Sequence, residues 1–144
     1  MDPTLVFTIR QGTVYYLAHR GLSSAEPHFF VVLNQNPRQD RVLLLAVASS
    51  QVEKVKARAE RQNLPAATVV EISPEEYPDF SKKSCFNCNQ LFQKSLQELS
   101  QARRNRELRT QRDMPAALLG RLIAGCMESP LLSEEVKAMI RQPS

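Results

Sequence analysis

Two apolar runs separated by a polar gap constrain this chain more than anything else in it. His28-Phe29-Phe30-Val31-Val32-Leu33 is followed by Asn34-Gln35-Asn36-Pro37-Arg38-Gln39-Asp40, then by Arg41-Val42-Leu43-Leu44-Leu45-Ala46-Val47-Ala48. Each run is rich in β-branched and aromatic side chains and too short for a buried helix of ordinary length. The gap consists of turn formers, so the runs read as two strands in contact, joined by a longer hairpin loop. Apolar residues on both faces place the pair centrally, in a sheet that is covered or closed.

Further strands are expected at Thr4 to Ile9, where Leu5, Phe7 and Ile9 alternate with Val6 and Thr8, at Thr13 to Leu17, at Thr68 to Ile72 and at Lys83 to Asn87. His19 to Glu26 is polar and reads as a loop. Ser50-Gln51-Val52-Glu53 has the capping-box pattern, and a helix from about Gln51 to Gln62 follows with a narrow apolar stripe of Val52, Val55 and Ala59. Ser73 to Pro78 forms a turn, because Pro78 forbids continuation of a helix.

From Ser95 onward the character changes. Ser95-Leu96-Gln97-Glu98 is a second capping box, and Asp113-Met114-Pro115 reads as a cap with proline in the first turn. Leu118, Leu119, Leu122, Ile123 and Met127 form an amphipathic stripe, and Ser133 caps a last short helix holding Val136, Met139 and Ile140. Strands first and helices last is an α+β layout. The expected organisation is a small closed β domain over residues 1–90 and a helical extension over residues 91–144 packing on it.

With 144 residues the chain is one domain, or one domain with an appendage. No apolar run approaches the ~18 residues of a membrane span, and no basic-then-apolar leader opens the sequence. Three cysteines without a secretory signal point to a reducing cytoplasm. The net charge of +4 is uneven: residues 1–90 hold ten basic and nine acidic side chains, residues 91–144 nine and six. Much of the excess is Arg103, Arg104, Arg106, Arg109 and Arg112, a block that suits phosphate or an acidic partner, and equally a solvated helix face. Leu118, Leu119, Leu122, Ile123, Met127, Leu131 and Leu132 offer more apolar surface than one short helix needs, from which a homodimer is expected.

Cys85-Phe86-Asn87-Cys88 is a lone C-x-x-C. Zinc needs four ligands, and no second pair or nearby histidine completes the set, so no metal or other cofactor is expected. The two histidines, His19 and His28, fall at neighbouring strand ends, where a general acid or base could face a cleft, with Arg20 beside His19. Lys82, Lys83, Ser84, Asn87 and Asn89 cluster at another strand border, and a lysine pair with amide and hydroxyl donors suits phosphate and base edges of single-stranded nucleic acid. The four glycines are never clustered, which excludes a phosphate-cradling glycine loop.

Gly12-Thr13-Val14-Tyr15, then Phe30-Val31-Val32-Leu33-Asn34, then Val47-Ala48-Ser49-Ser50 together resemble the opening of the MazF/PemK-type toxins, over roughly residues 10–90. The resemblance implies a small twisted SH3-like barrel, often dimeric. It also implies cleavage of single-stranded RNA without a metal, and neutralisation by an antitoxin partner. The chain departs from the family where Pro27-His28-Phe29 replaces an Arg-Pro pair, and Lys83-Ser84 is the nearest match to the later basic and hydroxyl residues. On this reading His28 or His19 is base or acid, Lys83 and Arg20 are cations, and Ser84 and Asn89 are donors. Lys82, Asn87, Arg104 and Arg109 serve nucleic-acid binding. Two further readings stay open: a non-catalytic module that binds a protein or nucleic acid through the barrel and basic tail, and a C-x-x-C redox protein.

Overall fold

A computed structural model describes residues 1–18 and 27–141. The central pair forms as the sequence indicates. Strand β2 (His28–Val32) and strand β3 (Leu43–Ser49) are antiparallel, with Phe30 opposite Val47 and Val32 opposite Leu45. Their loop is stapled by Asn34, which is fully buried. Its Nδ2 donates to Asp40 Oδ2 and Val42 O, and its Oδ1 accepts from Leu44 N at 2.6 Å.

Strand β1 (Val14–Leu17) pairs with β2, while β4 (Val69–Ile72) and β5 (Ser84–Asn87) form an antiparallel pair that joins the end of β3. Two strands lie beyond residue 90 in the same sheet. Strand β6 (Phe92–Lys94) pairs with the first half of β3, and β7 (Leu108–Thr110) pairs with β1. The strand order is β4-β5-β3-β2-β1-β7, with β6 off this path beside β3. All pairings are antiparallel, and β4 and β7 end the sheet without meeting, so the seven strands do not close into a barrel. Closure is not needed to hide apolar strands, because helices cover both faces.

Helix α1 (Pro3–Thr8) stands where a first strand was expected. Asp2 caps it by accepting from Leu5 N at 3.1 Å, and Pro3 occupies the first turn, where its missing N–H costs nothing. Leu5 and Ile9 are four apart and both buried, whereas Phe7, which strand alternation would bury with them, is 74% exposed. Helix α2 (Val52–Arg61) lies where expected, but its capping box is absent: Gln51 is the cap residue, without a side-chain bond. Ser95 and Glu98 do form their box at the start of α3 (Leu96–Arg104). Helix α4 (Ala116–Glu128) begins after Pro115, not Asp113, whose carboxylate instead meets the Arg10 guanidinium. Ser133 caps α5 (Glu134–Ile140) through Val136 N.

Two cores result. Val14, Val31, Ala46, Val70 and Phe86 on one sheet face pack with Leu118, Leu122, Cys126 and Ile140 of α4 and α5. Tyr15, Leu17, Phe30, Val32 and Leu45 on the other pack with Leu5, Ile9 and Leu99 of α1 and α3. The α4 stripe from which a dimer was expected is therefore consumed within one chain: Leu118, Leu119 and Leu122 are buried, and Leu131 alone of the group is largely exposed, at 61%. Among the described residues no helix is long and apolar enough to cross a membrane.

Candidate functional site

The end of β1, the start of β2, the end of β3 and the start of β5 meet at one rim of the sheet, as the pairs Leu17–His28 and Ser49–Cys85 require. A cleft of about 250 Å³ opens there, lined by Tyr16, His28, Phe29, Phe80, Lys82 and Ser84 among others. Its apolar wall is a chain of rings. Phe29 lies 5.1 Å from Phe80, which lies 4.8 Å from Tyr77 and 6.2 Å from Phe86, centroid to centroid. Tyr77 is fully buried and its hydroxyl donates to Arg112 O, which ties the segment before Ser81 and Lys82 to the chain just after β7. Burial pushes the Tyr77 phenol well up, so it remains a donor.

His28 Nδ1 lies 3.4 Å from Ala48 O. A carbonyl only accepts, so in this contact Nδ1 is the donor. Nε2 is shielded from solvent and has no hydrogen-bond partner among the described residues. Lys82 is exposed, has no ion pair among the described residues, and lines both this cleft and an adjoining shallow groove shared with Ser50 and Lys83.

The other expected residues are placed differently. Lys83 Nζ pairs with Glu71 at 2.8 Å, and Lys56 approaches the same carboxylate at 3.4 Å. The Lys83 bond, aided by Lys56, holds the Glu71 carboxyl below its usual range, and the same bond raises Lys83. Ser84 Oγ donates to Lys82 O at 3.1 Å and so fixes the loop at the cleft edge. Asn89 is 7% exposed and its amide is spent inside the protein: Nδ2 donates to Thr68 Oγ1 and Asn87 Oδ1, and Oδ1 accepts from Ser129. Asn87 in turn accepts from Asn89 N. These two amides tie β5 to α4 and present little to a ligand. His19 and Arg20 lie outside the described residues. Arg104 is exposed at the end of α3.

Arg109 stands beside the cleft, over one of its wall residues. Strand β7 sets it directly opposite Tyr16, and its guanidinium carbon stands 5.3 Å from the centre of the Tyr16 ring. Tyr16 and Phe29, also opposite one another, pack at 4.7 Å. The aromatic wall and the position of Arg109 were not legible in the sequence, because the β1–β7 pairing spans more than ninety residues. The only local hint was the Tyr15-Tyr16 pair in a strand, which must send one ring to each face.

Cys85 and Cys88 diverge. Cys85 lies opposite Glu71, near Lys56 and Glu53, whereas Cys88 packs in the α4-covered core beside Cys126, where its thiol donates to Leu122 O at 3.6 Å. All three cysteines are free thiols. Burial pushes the Cys85 thiol up to about 11, and the Cys126 contact followed by burial raises Cys88, so neither resembles an activated thiolate. Among the described residues no group of three or more His, Cys, Asp or Glu side chains is placed to hold a metal. The arrangement offers an imidazole and an ammonium lining an aromatic-walled cleft, with a guanidinium over one of its rings, which is chemistry for an anion attached to something flat.

No protein-family model matches this chain, and no curated protein matches its sequence.

Proposed function

We propose that the rim cleft binds single-stranded RNA, with Lys82 meeting phosphate, His28 lining the cleft and Arg109 beside it over the Tyr16 ring. The observation that carries this is that His28 and Lys82, from distant segments, line one cleft walled by Tyr16, Phe29 and Phe80, while Arg109 stands over the Tyr16 ring at its side. A basic groove with aromatic faces suits a strand whose bases are unstacked and can turn inward. A duplex hides those faces and is too wide for a cleft of about 250 Å³. Fluorescence anisotropy with a labelled single strand and the matching duplex tests this directly. The single strand binds more tightly, and Lys82→Ala reduces the salt slope by about one phosphate contact. Absence of binding at low salt, or equal binding of the duplex, overturns the reading.

A second reading, cleavage of the bound strand, is favoured by His28, which lines the cleft; its Nε2 has no hydrogen-bond partner among the described residues but is shielded, so the step requires the ring to turn toward the strand. In that reaction the ribose 2′-oxygen bonds to phosphorus as its proton passes to Nε2. The bond from phosphorus to the 5′-oxygen breaks, and that oxygen takes a proton from water. The products are a 2′,3′-cyclic phosphate and a 5′-hydroxyl. His28→Ala then lowers cleavage by ~10²-fold or more, the usual worth of a general base. Bound RNA that stays intact leaves the protein a non-catalytic binding module.

A further inference from the structure

We infer that Tyr16 and Arg109 form the two sides of a slot that takes one nucleobase, with the phosphate contacts of the rim cleft holding the strand beside it. This rests on the RNA reading and goes beyond it by assigning a base-stacking subsite. Tyr16 is only partly buried, although the ring chain behind it is packed inside the protein. Phe29 supports it at 4.7 Å, and Phe29 is itself held edge-on by Tyr77 at 6.5 Å and by Phe80 at 5.1 Å. The Tyr16 ring is therefore backed firmly, as a stacking platform must be.

Arg109 covers the ring. Its guanidinium stands 5.3 Å from the Tyr16 centroid, and Arg109 is exposed, with no carboxylate partner among the described residues. Two readings of this contact compete. A guanidinium lying on a tyrosine can simply shield an exposed ring from water. Alternatively it is a cover that a base displaces. Stacking of a base on an aromatic ring is worth more than a cation–π contact at an exposed site, so the exchange runs downhill. The long arginine side chain can swing aside, while the Tyr16–Arg109 backbone register keeps its base within reach. Once displaced, the guanidinium plane covers the second face of the base, a mode that proteins use for unstacked RNA bases. Among the described residues nothing in the slot is placed to read a hydrogen-bonding edge, so it prefers purines for their larger face and tolerates either one.

The test is a cycle between the ring and the base. Anisotropy is measured with a short single-stranded RNA and with versions of it that carry one abasic position, moved along the strand. With the natural protein, loss of one particular base weakens binding by about 5- to 150-fold, the range expected for one stacked base. With Tyr16→Leu, which keeps an apolar side chain at the position, the intact strand binds more weakly by a similar factor and the abasic penalty disappears. Arg109→Ala reduces that penalty in part. If every abasic strand binds as well as the intact one, or if the penalty is the same in Tyr16→Leu, the slot is wrong while the RNA reading stands. If the natural protein binds no intact strand at low salt, both fall.

Discussion

Gly125 of α4 lies so close to Cys88 that a Cβ added to it would stand 3.0 Å from the Cys88 sulfur and 3.0 Å from the carbonyl oxygen of Ala67. The missing side chain lets the helix settle onto the sheet next to the β5–β6 junction. Gly120 of the same helix has nothing within 4 Å of the corresponding point. Alanine at the two positions therefore acts in opposite directions. Gly120→Ala raises stability by roughly 0.5–1 kcal/mol through helix propensity. Gly125→Ala lowers it despite the same propensity gain, by roughly 1–3 kcal/mol of overpacking. Thermal denaturation of both variants checks the contrast.

The two capping-box sequences also separate. Ser95→Ala removes the bond that Glu98 N donates to Ser95 Oγ at 3.0 Å and costs about 1 kcal/mol. Ser50→Ala removes no such bond, since α2 starts from Gln51, and it leaves the denaturation midpoint within experimental error. A large loss from Ser50→Ala would contradict the observed start of α2.

Asn89 and Lys82 were grouped by their sequence neighbourhood, and they should respond oppositely. Asn89→Ala removes the donor to Thr68 Oγ1 and the acceptor of the buried Ser129 hydroxyl and destabilises by roughly 1–3 kcal/mol. Lys82→Ala leaves the melting temperature unchanged and weakens RNA binding with a shallower salt slope. Chemical denaturation and anisotropy on the two variants decide the matter.

The Lys83–Glu71–Lys56 cluster predicts a particular acid response. The Glu71 carboxyl is held low, so its contribution is present above the ordinary glutamate value of 4.5 and is lost as pH falls through the depressed native value. Lys83 is held high, so its contribution is present at neutral pH and lost only as pH rises through the elevated native value. Glu71→Gln removes both and flattens the fall of melting temperature on the acid side. An unchanged acid limb would show that the cluster is not coupled to folding.

The cysteines make the last prediction. All three are 0% exposed, and those of the C-x-x-C have raised thiol pKa values. Iodoacetamide at neutral pH therefore leaves the native chain unmodified, and mass spectrometry finds three adducts only after unfolding. Rapid labelling of Cys85 or Cys88 in the folded protein would restore the redox reading.

Where a local rule has one solution, the chain alone was sufficient. The β2–β3 pair needs only two apolar runs and a turn-forming gap, and α3 and α5 need only a serine cap before an amphipathic stripe. Where a local pattern has two solutions, tertiary structure chose between them. Leu5 and Ile9 are four residues apart, which satisfies both strand alternation and one face of a helix. Asp2 and Pro3 tipped the balance toward the helix, and the open sheet face over Tyr15 and Leu17 gave it a place to bury. Short strands such as Leu108–Thr110 carry almost no periodic signal of their own. They exist because a neighbouring edge offers unpaired backbone groups, and that edge is known only once the sheet is built. The candidate site follows the same division. His28 and Lys82 stood out by residue type at strand borders, while Arg109 joined them because the β1–β7 pairing sets it across from Tyr16. Backbone pairing between segments far apart in the chain cannot be read from either segment alone.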